Sequence, residues 1–214
     1  IDALTPHPDH DSGSLRLVNL MRLLREEGAH VVFLPANRSA DGAYTAALQQ
    51  LGVECWHAPH AAGIPAWLRE HGPRFDVAMV SRHYVASEFL PLLRKHAPRA
   101  RILFDTVDLH YLRERRAAEL SGDATALRAA TRTRELELDL IARADATLVV
   151  SDTERTLLAT DAPPLSATSS TPTSITVNDP DGQANLYPLA LEKRLITHDC
   201  SAAVDCGMLP DSAL

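Results

Sequence analysis

The chain has 214 residues, 45% of them hydrophobic and 23% charged, with a formal net charge of −7. These are globular proportions, and the acidic balance lacks the surplus of Lys and Arg that a general nucleic-acid binder needs to neutralise phosphates. Cys55, Cys200 and Cys206 have no Cys-x-x-Cys spacing and no apolar run approaches the ~18 residues of a membrane helix, so the expectation is a cytoplasmic chain without a transmembrane segment, a nucleic-acid partner, a metal or a cofactor.

A short apolar start, Ile1 to Leu4, reads as a first strand and runs into a polar loop with two prolines, two histidines, two aspartates and a glycine. Leu17, Leu20, Met21 and Leu24 then fall at i, i+3, i+4 and i+7, one face of a helix, with Arg16, Arg22 and Glu26 off that face. Ser14 suits its N-cap and Gly28 its C′ position. His30 to Leu34 reads as a buried strand, Asp41 to Leu51 as a helix, Val53 to His57 as a strand and Pro65 to His71 as a short helix. Asp76 to Ser81 reads as a strand, Val85 to His96 as a helix and Arg101 to Thr106 as a strand. His110 to Leu120 and Thr125 to Ala144 read as helices broken near Gly122, followed by a strand at Ala146 to Val150. Ser151-Asp152-Thr153-Glu154 is a capping box that opens a helix to about Ala159.

Short strands alternating with helices, without clean in/out alternation, indicate α/β architecture: a doubly wound parallel sheet of about six strands covered on both faces. One domain is expected over 1–160. From Asp161 the composition turns Ser/Thr/Pro-rich, so 161–214 reads as a linker and irregular tail, with a short helix over Leu186 to Ile196.

Open α/β sheets bind ligands beyond the carboxyl ends of their strands. Four constellations fall there: Asp9 to Ser14, Ser81-Arg82-His83, Asp105 to His110, and Ser151 to Arg155. Structural roles are available for several: Ser14 and Ser151 as helix caps, Asp105 as a turn residue, His110 as a solvated first-turn residue. The loop Asp11-Ser12-Gly13-Ser14 has one glycine where a dinucleotide fingerprint needs three, but offers close backbone approach, two hydroxyls and the free N–H groups of a helix start. An anion or a sugar hydroxyl suits it. His7-Pro8-Asp9 is also similar to the His-Pro-Asp-Asp opening of zinc-dependent N-acetylglucosamine-type deacetylases, although His10 stands where the second aspartate belongs and no distal histidine pair is evident.

Several longer stretches, in their order and spacing, carry another resemblance. They are Pro8 to Arg16, Tyr44 to Val53, Phe75-Asp76-Val77, Asp105 to His110, and Ala144 to Ser151. Together they resemble the N-terminal half of a bacterial family 4 glycosyltransferase of the GT-B fold. The resemblance implies a retaining enzyme that moves a sugar from a nucleoside-diphosphate donor to an acceptor, usually without a tightly bound metal. It further implies an N-terminal domain that shapes the acceptor side of a cleft. Carried across, the loop near donor and acceptor is Asp11, Ser12, Gly13 and Ser14, and the histidine facing the donor sugar is His110, with Asp108 and Asp105 beside it. Family members often show His-Asp where this chain has Asp-Leu-His. Arg82, Ser151 and Arg155 are positioned to join the substrate contacts. The family's nucleotide-binding C-terminal domain has no counterpart in 161–214, so the expected chain is inactive alone and completed by a partner donor domain. The alternative expectations are a non-catalytic acceptor- or partner-binding domain and the zinc deacetylase.

Overall fold

The structure, a computed structural model, describes residues 1–61 and 63–161 together with three strand segments beyond them. Helix α1 (Ser12–Glu26) follows the opening loop and leads to β1 (Val32–Phe33), α2 (Gly42–Gln50) and β2 (Glu54–Cys55). Next come α3 (Ile64–His71), β3 (Val77–Ser81), α4 (His83–His96) and β4 (Arg101–Asp105). The series ends with α5 (His110–Ser121), α6 (Ala124–Arg143), β5 (Ala146–Val149) and α7 (Asp152–Asp161). The helices and strands anticipated between the opening loop and Ala159 are therefore present, most of the strands shorter than expected.

All strand pairs within this region are parallel. β1 pairs with β2, and β3, β4 and β5 pair in that order. Residues 1–3 run between the two groups. The Ile1 amino group donates to Met79 C=O (2.7 Å) and the Ile1 carbonyl accepts from Ser81 N–H (3.0 Å), while Asp2 and Ala3 carbonyls accept from Ala36 N–H (2.7 Å) and Asn37 N–H (3.1 Å). The expected first strand is thus reduced to a single bridge, Asp2↔Pro35, and six regular strands are not formed within 1–160. Pro6, Pro8 and Pro35 lack the N–H donors a ladder needs to propagate on this edge.

Ile102, Leu103 and Phe104 are consecutive and all buried, so β4 is covered on both faces, as a parallel sheet requires. The main core joins Val80, Ile102, Phe104 and Val149 to Trp67 and Leu68 of α3, Phe89, Leu90 and Leu93 of α4, Leu140 and Ile141 of α6, and Leu158 of α7. A smaller core holds α1 and α2 to β1 through Leu17, Met21, Phe33, Leu48 and Val53. The break after α5 is made by Gly122, at φ 67°, and Asp123 then caps α6 by accepting from Thr125 and Ala126 N–H. No helix among the described residues is long and apolar enough to cross a membrane.

The tail departs from expectation where it is described. Thr173–Asn178 (β6) and Ala184–Leu189 (β7) pair antiparallel, and Leu195–Thr197 (β8) pairs with β5, so strand stands at 186–189 and 195–196 where a short helix is expected; 190–194 lie outside the described residues. Of the Ser/Thr/Pro-rich stretch, 162–172 lie outside the described residues.

Candidate functional site

The carboxyl ends of β3 and β4 open into two tight corners. Arg82, which ends β3 and caps α4, has φ 68°, and Val107, two residues past β4, has φ 65°. Left-handed backbone is unfavourable for a β-branched residue, and both corners are held by hydrogen bonds: Arg82 N–H to Asp105 C=O (2.8 Å) and Val107 N–H to Asp105 Oδ1 (3.2 Å). The first turn of α1 comes against both. A Cβ placed on Gly13 would lie 2.8 Å from Val107 Cγ1 and 3.9 Å from the Arg82 guanidinium, so only glycine admits this approach. Gly13, Arg82 and Val107, far apart in sequence, therefore meet where α1 packs on the carboxyl ends of β3 and β4, the crevice position of an open α/β sheet.

Beneath the crevice lies a layer of buried charge. Arg16 and Asp105, with side chains 7% and 3% exposed, form an ion pair. Asp105 also accepts from Ser81 Oγ (3.4 Å), so its carboxylate is committed to the fold and is not free to meet a ligand. Arg16 Nε is buried with no hydrogen-bond partner among the described residues. Asp2, buried, accepts from Arg82 Nε at 2.9 Å, and Arg82 Nη2 lies on the Gly13 side.

Beside this layer, the first residues of α4 and α5 bring two histidines together. The His83 and His110 rings are 4.6 Å apart in an edge-to-face arrangement, and Glu137, fully buried in the middle of α6, reaches them. Glu137 accepts backbone N–H from His110 (3.1 Å) and Tyr111 (3.0 Å), capping α5, and its Oε1 stands 3.8 Å from His83 Nδ1. Burial pushes the Glu137 carboxyl up to about 7 against the pull of those two N–H groups. His110 Nδ1 lies 2.7 Å from Asp108 Oδ1, and Asp108 also pairs with Arg113. That aspartate contact raises the His110 pKa despite burial. Burial, then the neighbouring His110, lowers the pKa of His83. For Asp108, burial acts upward, but contact with His110 and then Arg113 holds the carboxyl below its ordinary value.

The sequence-predicted residues divide clearly. Gly13, Arg82, Asp105, Asp108 and His110 share the crevice or its floor. Asp11, not Ser14, caps α1: its carboxylate accepts from Ser14 N–H (2.8 Å) and Ser14 Oγ–H (2.7 Å), and the helix begins at Ser12, which is exposed. Burial acts upward on Asp11, but these bonds from Ser14 hold it below its ordinary value. Ser151 and Arg155 are not brought in. Ser151 Oγ accepts from Glu154 N–H (3.2 Å), and exposed Arg155 pairs with Asp152 at 2.9 Å. The capping-box acid does more than its pattern implies: Glu154 accepts from Val150 N–H and from Leu109 N–H, each at 3.2 Å, tying α7 to the start of α5.

His7 stacks on Tyr44 at 4.0 Å and its Nε2 meets Asp41 at 2.6 Å, while Asp9 accepts from the Tyr44 hydroxyl at 2.8 Å. Among the described residues, the group of His, Cys and acidic side chains spaced to hold a metal ion is His83, His110 and Glu137, away from this run.

Arg16, Asp2 and Glu137 were not anticipated. Arg16 sits at the edge of the apolar stripe of α1 and gives little signal. Glu137 gives more: it precedes Leu140 and Ile141 by three and four residues and so falls on the buried stripe of α6. An acid on such a stripe needs partners, and these are the N–H groups of α5. Comparison with known proteins adds no relative to this picture: no family model, curated protein or solved structure matches the chain.

Proposed function

We propose that residues 1–160 form the acceptor-side half of a retaining GT-B glycosyltransferase, similar to the N-terminal domain of bacterial family 4 enzymes, whose active cleft is completed by a donor domain. In this reading the hydrogen bonds of residues 1–3 join the two strand groups into one doubly wound sheet, ordered β2, β1, residues 1–3, β3, β4, β5. Successive strands are added to one side of residues 1–3 as far as β2 and to the other from β3 onward, so the winding switches between residues 1–3 and β3, the usual location of a ligand crevice. The observation that carries the proposal is the meeting of Gly13, Arg82 and the Val107 to His110 loop at that point.

The chemistry suits a sugar nucleotide and its acceptor. Asp108, His110 and the backbone of the α1 first turn offer fixed acceptors and donors for hydroxyl groups. Asp11 already places a carboxylate on the α1 N-terminus, so a hydroxyl is favoured there over a phosphate. Arg82 supplies the cation for charge developing on a leaving diphosphate. Tyr84, 48% exposed, stands beside His83 and His110, apolar surface of the kind a second domain covers.

The test is a titration of ¹⁵N-labelled chain with nucleoside-diphosphate sugars and free oligosaccharides, with product analysis in parallel. Weak binding, with Kd near or above about 1 mM, is expected to shift Gly13, Arg82 and His110 resonances without any sugar transfer. Turnover by the chain alone would overturn the half-cleft reading. Absence of shifts with every sugar would overturn the glycosyltransferase reading.

A further inference from the structure

Glu137, His83 and His110 pose a problem that their own hydrogen bonds do not solve. Glu137 is a carboxylate with no exposed surface, at the centre of a helix, and no Lys or Arg is paired with it among the described residues. Its contacts are two backbone N–H groups and, at 3.8 Å, a histidine nitrogen too distant to hydrogen-bond. That nitrogen, His83 Nδ1, is itself buried without a partner. Orphaned buried polar atoms in a native fold call for an ion or an ordered water. One nitrogen from each ring and one carboxylate oxygen lie within 4.8 Å of one another. Ligand atoms around a tetrahedral zinc, each about 2.0–2.2 Å from it, stand roughly 3.3–3.5 Å apart, so about an ångström of side-chain closure brings the three into range. Both histidines are the first residues of their helices, where side chains can adjust without disturbing a helical interior.

The surroundings are those of a ligand set. His110 presents Nδ1 to Asp108 at 2.7 Å, which orients the ring and leaves Nε2 as the donor, the arrangement that metal-bound histidines adopt toward a carboxylate. Each Glu137 oxygen retains a lone pair beyond the one its N–H bond uses. Two neutral imidazoles and one carboxylate are borderline donors of the kind that select zinc over magnesium or calcium.

We propose that His83, His110 and Glu137 bind one zinc ion, with Asp108 orienting His110 from behind. Three protein ligands leave a coordination position for water or for an oxygen of whatever occupies the crevice. The ion would tie the starts of α4 and α5 to the middle of α6, give His83 Nδ1 the partner it lacks and set a positive charge beside the buried Glu137 carboxylate. This inference does not rest on the sugar-transfer reading, because metal binding is measured without sugar or turnover.

The experiment uses the whole chain, stripped with a chelator and then titrated with Co²⁺, followed by displacement with Zn²⁺. The expected result is about one equivalent bound, with the visible absorption of a low-coordinate cobalt site, and a zinc-dependent rise in melting temperature. Asp108→Asn should weaken affinity about 10–100-fold, and His83→Phe by at least that much. Glu137→Gln should also lose the ion. Because it removes a buried cap, its folding is checked by circular dichroism, and His83→Phe carries the test if it fails to fold. A His57→Ala variant, altering a half-buried histidine beside exposed His60, should retain the full equivalent. Absence of stoichiometric cobalt or zinc would overturn the proposal, as would undiminished binding in folded His83→Phe and His110→Phe.

Discussion

Breaking the Arg16–Asp105 pair tests whether the crevice is built on buried charge. Both side chains are almost wholly removed from solvent, so neither can recover water on losing its partner. Removing one member of such a pair costs about 3–5 kcal/mol, chiefly the penalty of the charge left behind. The two halves are not equivalent. In Arg16→Met the remaining carboxylate keeps Val107 N–H and Ser81 Oγ, so the loss belongs near about 3 kcal/mol at the low end. Asp105→Ala strands a guanidinium whose Nε already lacks a partner and also orphans Val107 N–H and Ser81 Oγ, which places it near about 5 kcal/mol. The double variant should fall well short of the sum, with a coupling of about 2 kcal/mol or more. Urea unfolding followed by circular dichroism reads all three. The melting temperature of Arg16→Met should drop by about 6–12 °C in a chain of this size. Single-variant losses both below about 1 kcal/mol, or losses that simply add, would refute the buried pair.

Two further outcomes follow from the same region. Gly13→Ala should cost about 1–3 kcal/mol, since its methyl meets Val107 Cγ1 at 2.8 Å, and most of that cost should vanish in a Val107→Gly background; equal costs in both backgrounds, by chemical denaturation, would show that the two residues do not touch. In chelator-treated protein, Glu137 holds its proton up to about pH 7 in the fold, against an ordinary value of 4.5, so the folded state binds more protons across that window. Stability contributed by the carboxyl is then full below pH 4.5 and declines as pH rises toward 7, by up to about 3 kcal/mol. Glu137→Gln should flatten that slope in a pH series of denaturation curves, and an unchanged slope would assign it to another group.

Where periodicity was strong, local structure was legible in the sequence. The spans of α4 and α6, the break near Gly122 and the Ser151–Glu154 cap follow from spacing and residue type, because each is decided within a few residues. The strand at Ile1 to Leu4 was over-read: its apolar residues suit a strand, but prolines 6, 8 and 35 take away the donors needed to extend it. Asp11 takes the capping role expected of Ser14 because either residue type can cap, and Ser14, buried in the first turn, donates to Asp11 instead. Ser151 and Arg155 show the limit of reading position alone. Both follow a strand end, yet a local hydrogen bond and a local ion pair satisfy them before any ligand could.

The buried polar layer was illegible for a different reason. Arg16, Asp2 and Glu137 each look like an ordinary solvated charge when only neighbours in sequence are considered. Their partners lie 89, 80 and 27 residues away, at Asp105, Arg82 and His110. Such pairs are set by topology, which brings the ends of residues 1–3, β3 and β4 to one edge. Left-handed backbone at Arg82 and Val107 is concentrated at that same edge. A fold that only needed stability could fill this space with apolar side chains and glycine corners at lower cost, since a buried ion pair is often no better than a well-packed hydrophobic substitute. Retaining charge, strain and two histidines where the strands open to solvent is therefore best accounted for by what must bind there, and that favours the crevice over the exposed His7–Tyr44 surface as the working face of the molecule.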